Sequence, residues 1–220
     1  KLIHQAVLDN IAEDQKCMDI LDLGCGTGLC GTLFQSIAKS LTGVDLSPRM
    51  IEKARQRAIY STLHQADITD VLEQSISAYD LVIAADVFVY VGDLSAVFAG
   101  CRKALREGGM LVFSVETVDG DTYRLRASGR YGHSTRYVLD LANCNGFVVS
   151  TMRETTIRKE GTKPIQGQVF VLVKIPPITR KPAIATTKIS VQFTTKKAPF
   201  KSGANILTDR DAVGMGLLDT

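Results

Sequence analysis

The sequence predicts an α/β fold in which a mostly parallel sheet carries helices on both faces, and three observations support it. Short apolar runs alternate with helical stripes of about 10–15 residues between Met18 and Gly146. The first of these runs opens directly into a glycine-rich turn, the form of a βα unit whose turn approaches a ligand. The last two runs have no helix between them, so they are expected to pair antiparallel, as a hairpin at the sheet edge.

Taken in order, Leu2–Lys16 places Ile3, Val7 and Ile11 four apart with Leu2 and Ala6 beside them, one helical stripe. Met18–Leu23 reads as a strand, Gly24–Gly28 as the turn, and Leu29, Leu33 and Ile37 resume helical spacing. Ser40–Asp45 is a second strand. Ser47-Pro48 then starts a helix, with Ser as cap and Pro where its missing N–H costs nothing; its inward side is Ile51, Ala54 and Ala58. His64–Asp67 suits a short strand, Thr69–Gln74 a helical segment, and Tyr79–Ala84 a buried strand. Leu94, Val97, Phe98, Cys101 and Leu105 make the next helix, which Gly108-Gly109 is expected to stop before the strand Met110–Val115. Ser134 caps a helix with Tyr137, Val138, Leu141 and Ala142 inward, ending at Asn145-Gly146. Phe147–Ile157 and Gln168–Ile175 are the closing hairpin, for seven strands in all.

The 220 residues are 45% hydrophobic and 22% charged, which excludes a disordered or collagen-like chain and suits one sizeable domain with at most an appendage. Residues 176–220 hold four of the six prolines and seven Lys/Arg against three Asp, while the remainder is close to neutral. The division expected is therefore a domain over 1–175 and a basic, Pro/Thr-rich extension over 176–220, in which only Ile189–Phe193 alternates like a strand and Ala212–Leu218 is weakly periodic. No nucleic-acid footprint covers the domain. The best apolar run, Leu81–Val91, is short and broken by Asp86, so no membrane span is expected. Five cysteines without a CxxC pair and only three histidines disfavour both a disulfide framework and a metal site, and suggest a reducing, cytoplasmic compartment. A first residue of Lys1 suggests a fragment or processed chain.

The chemistry is concentrated in Ile20-Leu21-Asp22-Leu23-Gly24-Cys25-Gly26-Thr27-Gly28. Alternating glycines at a strand end permit a tight turn and let backbone N–H groups approach a ligand. Asp45, 21 residues beyond Gly24 at the end of the second strand, can accept both ribose hydroxyls of a nucleoside. The glycine spacing is G-x-G-x-G, and Asp22 precedes it, which suits a cationic ligand carrying an amino group and not a pyrophosphate.

The turn with Asp22 resembles motif I of the class I S-adenosylmethionine-dependent methyltransferases, whose fold is Rossmann-like. Gly43-Val44-Asp45-Leu46-Ser47-Pro48-Arg49-Met50, Ala66-Asp67-Ile68, Tyr79–Val87 and Leu105-Arg106-Glu107-Gly108-Gly109 are similar to their later motifs. Cys25–Gly31, Asp86–Tyr90 and Ser128–Ser134 resemble the bacterial methyltransferase domains often found behind tetratricopeptide repeats, over about residues 1–175, so such repeats could precede Lys1. The resemblance implies S-adenosylmethionine held by Asp22, Gly24, Cys25, Gly26, Thr27, Gly28, Asp45, Leu46, Met50, Asp67, Ile68, Asp86 and Val87, and S-adenosylhomocysteine as product.

Asp86 and His133 are the candidate catalytic residues: Asp86 interrupts a buried run at a strand end, and an imidazole titrates near neutrality. Against these stand a local turn acid and a surface turn histidine. Tyr90, Arg130 and Tyr131 are candidates for the acceptor side, the arginine for an anionic group, with a packed tyrosine and a solvated loop as the plainer alternatives. Glu116 is a further base candidate, for which structural pairing is the plainer role. The fourth strand lacks the Asn/Asp-Pro-Pro-Tyr run of amide and adenine methylation, leaving a small-molecule or protein acceptor. Two other functions compete: a binding or assembly protein without turnover, and a nicotinamide-dependent oxidoreductase, which the absence of Tyr-x-x-x-Lys disfavours.

Overall fold

The computed structural model describes residues 1–12 and 17–176. The extension, with its strand at 189–193 and its weak periodicity at 212–218, lies outside the described residues past Pro176, as do positions 13–16 of the expected first helix.

Nine strands and five α-helices are described: α1 (Leu2–Leu8), β1 (Met18–Leu23), β2 (Ala38–Asp45), α2 (Pro48–Gln56), β3 (Thr62–Gln65), α3 (Ile68–Gln74), β4 (Tyr79–Ala84), α4 (Ser95–Ala104), β5 (Leu105–Thr117), β6 (Tyr123–Leu125), β7 (Tyr131–His133), α5 (Thr135–Cys144), β8 (Phe147–Glu160) and β9 (Lys163–Lys174). Strands β3, β2, β1, β4 and β5 lie side by side and run parallel. β9 pairs antiparallel with β5, and β8 pairs antiparallel with β9, the hairpin expected from the missing helix.

The parallel strands are buried on both sides, and their pleat divides the core in two. Leu21, Leu23, Val82, Ala84, Leu111, Phe113, Phe170 and Leu172 face α3, α4 and α5. Ile20, Leu81, Ile83, Met110, Val112, Val169 and Val171 face α1 and the Phe34–Ile37 segment. Side-chain caps set three of the helix starts: Ser47 Oγ accepts from Met50 N–H, Asp67 from Thr69 N–H and Ser134 from Tyr137 N–H.

Ala58, expected on the inward side of α2, lies exposed past its end, β3 ends at Gln65, and β8 and β9 run on to Glu160 and back from Lys163; four further departures have a clear local cause. α1 ends at Leu8, because Asn10 turns its amide back to the Ala6 carbonyl at 2.8 Å and across to Thr151 Oγ1 at 3.0 Å. The helix expected after the glycine turn contracts to one 3₁₀ turn, Gly31–Leu33, since β2 begins as early as Ala38 and leaves too little chain for more. Gly108 and Gly109 fall inside β5 and do not stop α4, which ends at Ala104; a Cβ at Gly109 would lie 2.9 Å from the Arg106 carbonyl and 3.1 Å from that of Asp80, so glycine admits the irregular register there. The polar stretch 117–133 carries β6 and β7, three residues each. β7 pairs with Glu116 and Thr117 of β5, past Phe113, where the β4 pairing stops, so the small flap stands over the carboxyl edge of the sheet.

Gly167 joins the hairpin to the sheet, opposite Glu116 of β5 and Thr155 of β8. A side chain there would run into the Val115 carbonyl and lie 2.8 Å from Ile157. Replacing Gly167 by Ala is expected to lower the unfolding free energy by about 1–3 kcal/mol in urea melts; an unchanged midpoint contradicts this packing.

Candidate functional site

Parallel pairing of β1 with β2 sets Asp22 and Leu23 beside Gly43 and Val44, so the turn after β1 and the acid ending β2 emerge side by side. The two are tied directly. Asp45 Oδ2 accepts the Gly26 N–H at 2.9 Å, and its Oδ1 accepts the Ser47 N–H at 2.8 Å. Gly24 and Gly26 both hold left-handed backbone, φ +59° and +54°. At Gly24 space forbids a side chain as well, since a Cβ would lie 2.6 Å from Val87.

Around this junction lies a cavity of about 520 Å³, walled by Gly24, Gly26, Asp45, Leu46, Ser47, Met50, Asp67, Ile68, Val87, Tyr90 and Val91. Leu46, Met50 and Tyr90 are exposed large apolar residues, and they gather at this wall. Asp67 is held by its own cap, Oδ1 accepting from the Thr69 amide and hydroxyl, which keeps the carboxyl below its ordinary range.

The expected ligand residues divide at this point. Gly24, Gly26, Asp45, Leu46, Met50, Asp67, Ile68 and Val87 reach the wall; Asp22, Cys25, Thr27, Gly28 and Asp86 do not line it. Asp22 alternates with Leu21 and Leu23 and points to the opposite side of β1, where it is 1% exposed and accepts the Tyr60 hydroxyl at 2.7 Å. Burial raises its pKa to about 7, with the Tyr60 hydrogen bond opposing and Asp45 reinforcing that shift. Cys25 is buried against α2, its thiol pushed up to about 12 by burial, a small packing residue and no nucleophile. The Thr27 carbonyl accepts from Arg57 Nε. Ser47, Val91 and Tyr60 were not legible as site residues: the first two touch the cavity only through loop geometry, and Tyr60 has no motif around it.

A second cavity, about 420 Å³, opens beside the carboxyl ends of β4 and β5. Lys1, Leu2, Ile3, Leu29, Cys30, Leu33, Ala85, Asp86, Ser114, Ile157 and Val169 line it. Asp86 sits in left-handed backbone, φ +58°, which a residue other than glycine seldom holds. Its N–H donates to Ser114 Oγ at 3.1 Å, and its Oδ1 lies 3.4 Å from Arg158 Nη1. Arg158 also pairs with Glu116, which is 1% exposed and receives Arg126 Nη1 at 2.8 Å. Glu116 is therefore a paired structural acid and not a base.

His133, a candidate catalytic residue, lines neither cavity. It is fully buried, its Nε2 meets the Val91 and Gly92 carbonyls at 3.0 Å each, and the ring lies among Tyr123 and Tyr137. Two carbonyl partners place the proton on Nε2, and burial lowers the pKa, so the neutral ring braces the Val91–Gly92 turn, of which Val91 walls the first cavity. Tyr131 also packs behind this turn, near the space a Gly92 Cβ would fill. Arg130 stands over the Tyr90 ring at 5.4 Å, and its Nη1 is buried without a hydrogen-bond partner.

Residues 20–109 match the model of the methyltransferase domain family. Ubiquinone biosynthesis O-methyltransferase of Cereibacter sphaeroides is 24% identical over 181 residues, 80% of this chain and 71% of that protein. Malonyl-[acyl-carrier protein] O-methyltransferase of Acetivibrio thermocellus is 35% identical over 118 residues, 52% of this chain and 41% of that protein. Among solved structures, an S-adenosylmethionine-dependent methyltransferase from Listeria monocytogenes superposes with TM-score 0.62 at 20% identity, over 80% of this chain and 99% of that one. Magnesium protoporphyrin IX methyltransferase from Synechocystis with bound S-adenosylmethionine gives 0.58 at 22%, over 79% and 76%. These structures share the fold.

The cavity fits such a cofactor. A Cβ at Gly26 would meet nothing within 4 Å, so the turn leaves open space at the wall. The Asp45 carboxylate has lone pairs beyond the two its amides use, as a diol requires. Two carboxylates on the wall suit hydroxyls and amines and repel a pyrophosphate.

Two outcomes follow. Asp45→Ala is expected to weaken S-adenosylhomocysteine binding by about 1.5–3 kcal/mol in calorimetry, through lost charge-assisted hydrogen bonds; equal affinity contradicts the assignment. Between pH 3.8 and about 7, Asp22 holds a proton in the folded state that the unfolded chain has released; above about 7 it is ionised in both. Its stabilising share is complete below pH 3.8 and is lost as pH rises through 7. Melting temperatures at pH 5 and 8 should therefore differ less for Asp22→Asn than for the native chain, once shared pH effects are subtracted.

Proposed function

Starting from residues 20–109 as a methyltransferase domain, and from the chain as a class I enzyme using S-adenosylmethionine, we propose that it methylates an oxygen or nitrogen of a small, largely apolar acceptor bound in the second cavity. One observation carries this reading: that cavity is mainly apolar and presents the Asp86 carboxylate, one residue from Val87 on the cofactor wall. Its volume suits a metabolite or one inserted side chain, not a folded surface. Oxygen acceptors are what the ubiquinone-biosynthesis and malonyl-carrier relatives are named for.

When bound, S-adenosylmethionine supplies a methyl group on a sulfonium, open to in-line attack by an acceptor lone pair. The chain's own part is mainly orientation and exclusion of water. Gly24 and Gly26 would bring backbone close to the cofactor, Asp45 would receive ribose hydroxyls and Asp67 an amine, and Leu46, Met50, Ile68 and Val91 would give apolar walls for the base. Asp86 accepts the acceptor's proton at a carboxylate oxygen, steadied by Arg158. Arg130 offers the buried Nη1 above Tyr90 to an anionic group at the cavity mouth. The unit assigned this work is residues 1–175, and the association with tetratricopeptide repeats that the resemblance implies belongs to the same proposal.

Incubating cell extract with methyl-tritiated S-adenosylmethionine and separating low-mass from protein fractions tests the acceptor class. Label is expected in the low-mass pool, and Asp86→Asn should cut transfer by about 10²–10⁴-fold with S-adenosylhomocysteine affinity kept. Label confined to protein, or undiminished transfer by the variant, overturns the reading.

A further inference from the structure

Tyr60 packs against the glycine turn, yet it lies in the irregular segment between α2 and β3 and outside both cavities. Its ring occupies a trough that three glycines leave open. A Cβ at Gly28 would come within 3.0 Å of the ring, one at Gly43 within 2.9 Å, and one at Gly31 would overlap the hydroxyl. From that trough the hydroxyl donates to Asp22 Oδ2 at 2.7 Å. Three stretches of chain meet on this one ring: the turn, the body of β2, and the buried acid of β1.

We propose that Tyr60 is a positioning residue for the cofactor, fixing the glycine turn from behind through its ring and keeping Asp22 in its charged, hydrogen-bonded form. This rests on the cofactor assignment and not on the identity of the acceptor. Asp22 feels the opposite wall of the turn, because Asp45 of β2, which lines the cofactor cavity, acts on it electrostatically. The other titratable groups facing it are Tyr60 itself and the thiols of Cys25 and Cys30, both pushed up to about 12 by burial and uncharged near neutrality. A carboxylate at Asp22 adds negative potential behind a turn that receives a ligand carrying an ammonium group, and in S-adenosylmethionine a sulfonium too. Burial works against that charge, and the Tyr60 hydroxyl is the donor that works for it.

The consequence is a distinctive pH dependence. A ring that only filled space would, when altered, weaken binding by one factor at every pH. A hydroxyl that keeps Asp22 ionised makes the loss depend on pH, greatest where the native chain is ionised and the variant is not. The experiment is calorimetric titration of the full chain with S-adenosylhomocysteine from about pH 5.5 to 9, for the native protein, Tyr60→Phe and Asp22→Asn. Tyr60→Phe keeps the ring and drops only the donor. Native affinity should fall as pH drops through about 7. Tyr60→Phe should shift that fall upward, with a deficit of about tenfold between pH 7 and 8 shrinking at both ends of the range. Asp22→Asn should bind with a nearly flat profile. The ligand's own amine titrates alike in all three and cancels in the ratios. A Tyr60→Phe curve parallel to the native one, or a native-like pH response in Asp22→Asn, overturns the proposal while leaving the cofactor assignment standing. No binding by the native chain would instead strike at that assignment. Should Tyr60→Phe fail to fold, the Asp22→Asn profile decides alone.

Discussion

The hydrogen bond from the Gly26 amide to Asp45 joins the two strand ends on which the whole site is built. It exists because β1 and β2 are parallel neighbours in fixed register, so their carboxyl ends finish at the same level. An open parallel sheet offers its ligands that edge, and the other walls of the cavity come from the segments that follow β3 and β4. Residues far apart in the chain, Gly24, Asp45, Asp67 and Val87, therefore converge without any of them leaving its own strand end.

Two different kinds of order support that edge. On the cavity side the turn is held by charge-assisted bonds to one carboxylate, which still has capacity for a ligand. Behind the turn it is held by close packing around Tyr60 and by a buried acid whose ionisation burial opposes. The border of the second cavity is built in a third way, by a run of alternating charges. Arg126, Glu116, Arg158 and Asp86 link the flap to the second cavity, and this pairing lets Glu116 be buried without an isolated charge.

Local signals in the sequence made much of this legible. The strand–turn–strand order, the glycine spacing and Asp45 lie within one βα unit and its next strand, so spacing alone locates them. Ser47 and Ser134 are readable as caps because a cap is defined by its immediate neighbours, whereas Asp67, expected at a strand end, caps α3 instead. What depends on tertiary contact was not readable. Both faces of β1 are buried, so alternation cannot say which side of the strand Asp22 takes, and only the fold turns it away from the cavity. Tyr60 meets Asp22 across 38 positions with no motif to announce it. His133 reads as a base from its chemistry, but an aromatic surround and two carbonyls make it a brace. The Gly108-Gly109 pair can end a helix or admit an irregular strand, and local sequence does not separate the two. Strands of three residues, such as β6 and β7, are too short to show a period.

The cavity at the Gly26–Asp45 junction, with two carboxylates on its wall, is expected to take an adenosyl amino acid and not a dinucleotide. Parallel calorimetric titrations of the native chain with S-adenosylhomocysteine and with NAD test it most directly. Saturable one-to-one binding of the first and none of the second is the predicted result. Saturable binding of NAD, with S-adenosylhomocysteine inert, would contradict it.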